Sequence, residues 1–131
     1  MKAPVISIVD DDESVREATK SLVRSLGYHA VTFGSAEEYL GSERMHDTSC
    51  LIADVQMPGM SGVDLQAQLI ASGHRTPMIF ITAFPEQRIC SRAMTAGAYG
   101  FLSKPYKDDQ LIECLDKALN GSDVAGPSNA G

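Results

Sequence analysis

Strand-like and helix-like segments alternate without a break between residues 5 and 120, and this alternation limits the fold more than any other feature of the chain. Residues 5–9, 50–55 and 78–82 are near-continuous runs rich in Val, Ile and Leu. Residues 28–33 alternate apolar with polar and read as a more exposed strand, and residues 98–103 supply the fifth. Between them lie helical patterns. Residues 14–26 place Val15, Ala18, Leu22 and Leu26 on one face and stop at Gly27. Ser35 and Glu38 have capping-box spacing and open a short helix through Leu40. Residues 61–71 turn Val63, Leu65, Leu69 and Ile70 inward and stop at Gly73; residues 86–96 stop at Gly97. Residues 108–120 bury Leu111, Ile112, Leu115 and Leu119 and close at Gly121. Strict alternation predicts an α/β fold, with a parallel sheet covered on both faces through right-handed crossovers. Apolar runs without alternation suit strands buried on both sides.

The chain has 131 residues, enough for one domain with one buried core. We expect a folded unit over residues 1–121. Residues 122–131, small and polar, read as a flexible tail or the stub of a linker. No apolar stretch approaches the roughly 18–20 residues that span a bilayer, and no signal peptide is evident at the N-terminus, so a cytoplasmic protein without membrane contact is expected. Cys50, Cys90 and Cys114 lack metal-site or disulfide spacing and read as reduced thiols. A net charge of −6 without any Lys/Arg run argues against direct nucleic-acid binding. His29, His46 and His74 are scattered and read as surface residues.

Chemistry collects at the strand ends. Asp10, Asp11 and Asp12 follow the first strand, Asp54 ends the third, Thr82 the fourth and Lys104 the fifth. In open parallel sheets ligands bind outside these carboxyl ends, so topology alone gathers the four positions on one rim. Carboxylates about 4 Å apart repel by on the order of 4 kcal/mol at an effective dielectric near 20. A hard cation held by oxygen ligands relieves this, with Mg²⁺ the best fit and Mn²⁺ a second. Carboxylate, cation, lysine and hydroxyl together are the parts needed to accept a phosphoryl group. Each has a bland reading when taken singly. An acidic triplet is commonly a solvated helix N-terminus, a strand-end threonine a β-propensity choice, and Met57-Pro58-Gly59 a plain turn. It is the shared edge that gives them chemical meaning.

Four segments carry a family resemblance: Ile8-Val9-Asp10-Asp11-Asp12-Glu13, Asp54-Val55-Gln56-Met57-Pro58-Gly59-Met60-Ser61-Gly62, Ile81-Thr82-Ala83 and Phe101-Leu102-Ser103-Lys104-Pro105-Tyr106. In this order and spacing, from residue 5 to about 120, the chain resembles the receiver domains of bacterial two-component response regulators. The resemblance implies a flavodoxin-like, doubly wound (βα)5 sheet in strand order 2-1-3-4-5. It implies Asp54 as acceptor of phosphate from a histidine kinase or a histidine phosphotransfer protein. Mg²⁺ would be held by Asp11, Asp54 and the backbone carbonyl of Gln56, with Asp10 acting through water. Thr82 and Lys104 would hold phosphoryl oxygens, Phe101 would swing inward with Thr82, and the Lys104–Pro105 bond would be cis. Asp10 and Asp11 follow the last apolar strand residue and make the family's acidic pair, leaving Asp12 to cap the next helix near Ser14. Gln56 and Phe84 occupy positions that tune rates in the family, and a bulky Phe84 is expected to shield the phosphorylated aspartate from water.

The implied function is a phosphorelay switch, not an enzyme beyond self-catalysed phosphotransfer and dephosphorylation. It would work through a changed face over residues 86–96 and 98–109 on a downstream partner or output domain. A homodimer formed on phosphorylation remains open. The Ser103-Lys104-Pro105-Tyr106 segment resembles receivers that precede LuxR-type helix-turn-helix domains. Either a natural single-domain regulator or the receiver part of a longer transcription factor therefore fits. The rival from another class is a Mg²⁺-dependent aspartyl phosphatase using Asp10 and Asp12, which leaves Asp54 unexplained.

Overall fold

The computed structural model of the chain describes residues 3–125. Five strands, β1 (Val5–Val9), β2 (His29–Phe33), β3 (Cys50–Asp54), β4 (Met78–Thr82) and β5 (Gly100–Ser103), form one sheet in the order β2-β1-β3-β4-β5, all neighbours parallel. The helices are α1 (Glu13–Ser25), α2 (Ala36–Leu40), α3 (Gly62–Ala71), α4 (Gln87–Thr95) and α5 (Asp108–Ala125), and a short 3₁₀ turn spans Glu43–His46. The flavodoxin-like topology expected from the sequence is the one observed.

The two-residue period of the strands divides their side chains between two layers. Leu51, Ala53 and Phe80 pack toward Ala36 and Tyr39 of α2, Leu65 and Leu69 of α3 and Ala93 of α4. Ile6, Ile8, Cys50, Ile52, Ile79 and Ile81 pack on the other side, with Val23 of α1 and Leu111, Leu115 and Ala118 of α5. Every residue of β3 and β4 is buried, which is why neither strand alternates. Burying each large aliphatic side chain contributes about 1.5–3 kcal/mol. The edge strand β2 is the most exposed of the five, with only Phe33 fully buried.

Two helix faces and one helix end differ from the sequence reading. On α1 the buried residues are Thr19 and Val23, and Ala18 is exposed. The inward stripe is centred one position later, which puts the Thr19 hydroxyl within bonding reach of Tyr106. On α3, Ile70 is 51% exposed while Gln66 is buried. Gln66 faces α4, where its Nε2 donates to the Ala93 carbonyl at 3.1 Å. Ile70, one helical step of 100° past Leu69, turns to solvent. The last helix does not close at Gly121 but continues through Ala125. A single glycine costs only about 1 kcal/mol in a helix, and the first residue that cannot continue one is Pro127. Of the ten residues expected as tail or linker, 122–125 thus belong to α5, and 126–131 lie outside the described residues.

Other boundaries follow the local signals. Gly27, Gly73 and Gly97 end α1, α3 and α4 in the left-handed region, at φ 93°, 86° and 110°. Ser35 Oγ accepts the Glu38 N–H, but the Glu38 carboxylate accepts from Gly34 rather than from Ser35, so the capping box is one residue displaced on one side. A complete box occurs at α3 between Ser61 and Asp64.

Candidate functional site

The parallel register sets the height of each strand end. Val9 lies level with Ala53, so Asp10 lies level with Asp54. Past the ladder of β4 and β5, the Lys104 N–H donates to the Thr82 carbonyl at 2.7 Å. Asp10, Asp54, Thr82 and Lys104 therefore stand on one rim. Asp10 is fully buried, Asp54 is 4% exposed and Thr82 1%. The Lys104–Pro105 bond is cis.

Lys104 bridges the two buried acids. Its Nζ lies 3.1 Å from Asp10 Oδ2 and 3.2 Å from Asp54 Oδ2. Burial pushes the Asp54 carboxyl up to about 6, the Asp10 charge adds to the rise, and Lys104 and the Gln56 N–H oppose it. Burial of Lys104 pulls its ammonium down. The hydrogen bond and charge of Asp10, and then of Asp54, outweigh that, so its pKa sits above the ordinary lysine value. One lysine thus faces two carboxylates, and the pocket holds an unbalanced negative charge.

Asp11 is exposed, yet one oxygen from each of Asp10, Asp11 and Asp54 falls within 4.8 Å of the others. Asp10 Oδ2 is buried and accepts no hydrogen bond, despite its closeness to Lys104. Three convergent hard oxygens, from acids one of which carries a buried oxygen without a hydrogen bond, fit a small divalent cation such as Mg²⁺. Asp12 is not part of this set. Its Oδ1 accepts from Ser14 N at 2.9 Å and Val15 N at 3.3 Å as the N-cap of α1, while its own N–H donates to Asp10 Oδ1 at 2.8 Å. The Asp12 cap is the one expected from the sequence.

Gln56 leaves its side chain exposed and donates its N–H to Asp54 Oδ1 at 3.3 Å. Thr82 Oγ1 accepts from Phe84 N at 3.1 Å, which leaves the hydroxyl hydrogen free to donate elsewhere. Phe84 is 68% exposed beside the rim. Phe101 is half-buried against Phe80, ring centres 6.2 Å apart, as a strand residue would be. Cys50 is buried, with its thiol pushed up to about 12 by desolvation, and Cys90 and Cys114 are half-buried free thiols. His29 and His46 are exposed, while His74 is half-buried beside His46.

Three supporting residues were not singled out from the sequence. Arg16 Nη1 donates to the Asp10 carbonyl at 2.7 Å and ties α1 to the acidic loop. Glu37 accepts the Met60 N–H at 3.0 Å across the loop that follows Asp54. At Gly62 a Cβ would lie 2.3 Å from the Asp54 carbonyl oxygen, so only glycine lets α3 start directly under the acid. Arg16 and Glu37 bind backbone groups, which carry no sequence signature. Gly62 stood in a recognised segment without its reason being visible.

On a sheet wound in the 2-1-3-4-5 order, an aspartate of the central strand thus faces a lysine that follows the last one. The model of the response regulator receiver domain matches residues 6–116, and the chain belongs to that family. Nodulation protein W of Bradyrhizobium diazoefficiens is 42% identical over 111 residues, covering 85% of this chain and 49% of the relative. Response regulator protein TodT of Pseudomonas putida is 42% identical over 118 residues, 90% of this chain and 52% of the relative. The chain thus spans about half the length of these curated relatives. Among solved structures, response regulator StyR superimposes with a TM-score of 0.84 at 42% identity, over 90% of this chain and 60% of that one. The structure titled FixJ-N gives 0.81 at 33% identity, over 92% and 96%. Family and site agree with a phosphoacceptor signalling switch. The aspartyl phosphatase is not favoured, since the Asp12 side chain it requires is engaged as a helix cap.

Proposed function

We propose that Asp54 accepts a phosphoryl group from the phosphohistidine of a histidine kinase or histidine phosphotransfer protein. The observation that supports this most is the Lys104 ammonium held between buried Asp10 and Asp54 at 3.1–3.2 Å, beside the buried Thr82. In the transfer, an Asp54 carboxylate oxygen bonds to phosphorus as the phosphorus–nitrogen bond breaks. The imidazole nitrogen keeps the electron pair and takes a proton. The protein's contribution is positioning and charge, not proton transfer. Lys104 supplies a charge-assisted donor to the phosphoryl oxygens, and the free hydrogen of the Thr82 hydroxyl supplies a neutral one. Asp11, Asp54 and the Gln56 carbonyl would hold Mg²⁺, with Asp10 reaching it through water and Mn²⁺ as a substitute. When bound, the ion neutralises charge on the phosphoryl oxygens. Hydrolysis of the aspartyl phosphate is the only other chemistry assigned, so the domain turns over no separate substrate.

Phosphorylation draws Thr82 inward, Phe101 follows, and the face made by α4, β5 and α5 changes shape. Moving such a domain from about 1:99 to 99:1 takes roughly 5.5 kcal/mol of differential stabilisation. The new contacts of the phosphoryl group with Lys104 and Thr82 contribute to it. The receiver unit is assigned to the described residues through Ala125, where α5 ends. The output it controls is a downstream protein or an attached DNA-binding domain of LuxR type. The likeness to FixJ of Bradyrhizobium diazoefficiens, a transcriptional regulatory protein 30% identical over 125 residues, supports the second. Among the described residues no helix is long and apolar enough to cross a membrane. The proposed setting is the cytoplasm, without nucleic-acid contact by this domain itself.

Incubation with acetyl phosphate and Mg²⁺ tests the assignment. Stoichiometric label is expected on the wild type, with none on Asp54→Asn or after chelation of Mg²⁺. Equal labelling of Asp54→Asn would overturn it.

A further inference from the structure

We infer that Glu37, remote in sequence from the acidic rim, is a positioning residue that sets the geometry of the metal-binding loop. The inference rests on the phosphoacceptor reading and assigns a further residue to the same site. Helix α2 is anchored on the sheet by buried Ala36 and Tyr39, and Tyr39 meets Phe33 edge-on at 5.3 Å, so the base of the Glu37 side chain is fixed. From there Glu37 Oε2 accepts the Met60 N–H at 3.0 Å. The same oxygen would lie 2.7 Å from a Cβ added at Gly59, which is left-handed at φ +79°. A Cβ at Gly59 would push the Glu37 carboxylate aside, and the positive φ favours glycine there.

The loop starts at Asp54, whose Oδ1 holds the Gln56 N–H. It ends at Gly62, whose N–H donates to the Val55 carbonyl at 2.9 Å. Both ends are tied to the backbone around Asp54. Met57 is buried in the core and Met60 packs against it, and among the described residues the Glu37 bond is the hydrogen bond that reaches residues 57–60 from outside the loop. Gln56 sits between the two fixed points. Removing the outer one loosens the stretch whose Gln56 carbonyl the phosphoacceptor reading assigns to Mg²⁺. Glu37 is exposed and touches neither a reacting atom nor a metal ligand, so its effect is on how well a loop is held in place. The contact needs an acceptor oxygen, not a charge.

Three proteins test this: the wild type, Glu37→Gln, which keeps an acceptor oxygen, and Glu37→Ala, which does not. Amide hydrogen exchange at Met60 is read without metal, Mg²⁺ half-saturation by NMR titration, and Asp54 labelling by acetyl phosphate at limiting and saturating Mg²⁺. For Glu37→Ala, Met60 exchange and the Mg²⁺ half-saturation point should each rise by about three- to tenfold, the loss of one partly exposed hydrogen bond. The labelling rate at saturating Mg²⁺ should stay within about twofold, and Glu37→Gln should follow the wild type. Wild-type Mg²⁺ half-saturation in Glu37→Ala overturns the inference, even if Met60 exchange accelerates. So does an equal weakening in Glu37→Gln, which would reduce Glu37 to a distant charge. A wild type that binds Mg²⁺ yet takes no label sinks the phosphoacceptor reading instead, and leaves the Glu37 effect on the metal standing.

Discussion

Asp54→Asn should make the metal-free protein more stable, although it removes a partner of Lys104. Asp54 is almost fully buried next to Asp10, and its carboxyl is pushed from 3.8 up to about 6. The folded state therefore holds the Asp54 proton more tightly than the unfolded chain does. Stability from this group is complete below about pH 4 and is lost as pH rises through about 6. At about 1.4 kcal/mol per pH unit, the loss is about 3 kcal/mol at neutral pH. Asparagine has the same shape and no charge to lose, so Asp54→Asn should be more stable by about 2–3 kcal/mol at pH 7.5, or about 10 °C in Tm for a domain of this size. The gap should vanish near pH 4. Mg²⁺ should narrow it at pH 7.5 by stabilising the wild type selectively. Urea unfolding of both proteins at the two pH values, with and without Mg²⁺, measures each quantity. An Asp54→Asn protein no more stable than wild type at pH 7.5 without metal would refute the reasoning, because Lys104 would then fully compensate the buried pair of acids.

Gly62→Ala forces a Cβ to within 2.3 Å of the Asp54 carbonyl oxygen. It should lower stability by at least about 1–3 kcal/mol in urea unfolding and slow Asp54 labelling. Tyr106→Phe strands the buried Thr19 hydroxyl that joins α1 to the Lys104 loop, and should cost about 1–3 kcal/mol by the same assay. Phe84→Asn should speed loss of phosphate from the labelled protein several-fold, measured as decay of the label; an unchanged half-life removes Phe84 as a shield.

How much could be read beforehand depended on whether the cause was local. The strand ends were legible because β3 and β4 are buried on both faces and must be apolar until the residue that meets the rim. Asp54 and Thr82 could therefore be placed on the rim by position alone. The separation of Asp11 from Asp12 was legible by counting from Val9, since a helix N-cap has a fixed place before its first turn. Gln66 was not legible: a buried amide is tolerated only because Ala93, 27 residues away on α4, offers a carbonyl. With Gln66 inward, Ile70 is displaced to solvent, a result no hydropathy pattern on α3 contains. The run of α5 past Gly121 had a similar origin, since one weak helix residue was read as a stop in the absence of any true breaker before Pro127. The short 3₁₀ turn at Glu43–His46 leaves no hydropathy signal, for it rests on one Ser42 cap and buries nothing.

The most direct test of the central claim is chemical trapping of the labelled aspartate. Treatment of the acetyl-phosphate-labelled protein with borohydride reduces an aspartyl phosphate to homoserine, and peptide mass spectrometry locates the change. Conversion at residue 54, dependent on Mg²⁺ and absent after Lys104→Ala at limiting donor, is the predicted result. Homoserine at residue 10, 11 or 12 with residue 54 intact would contradict it.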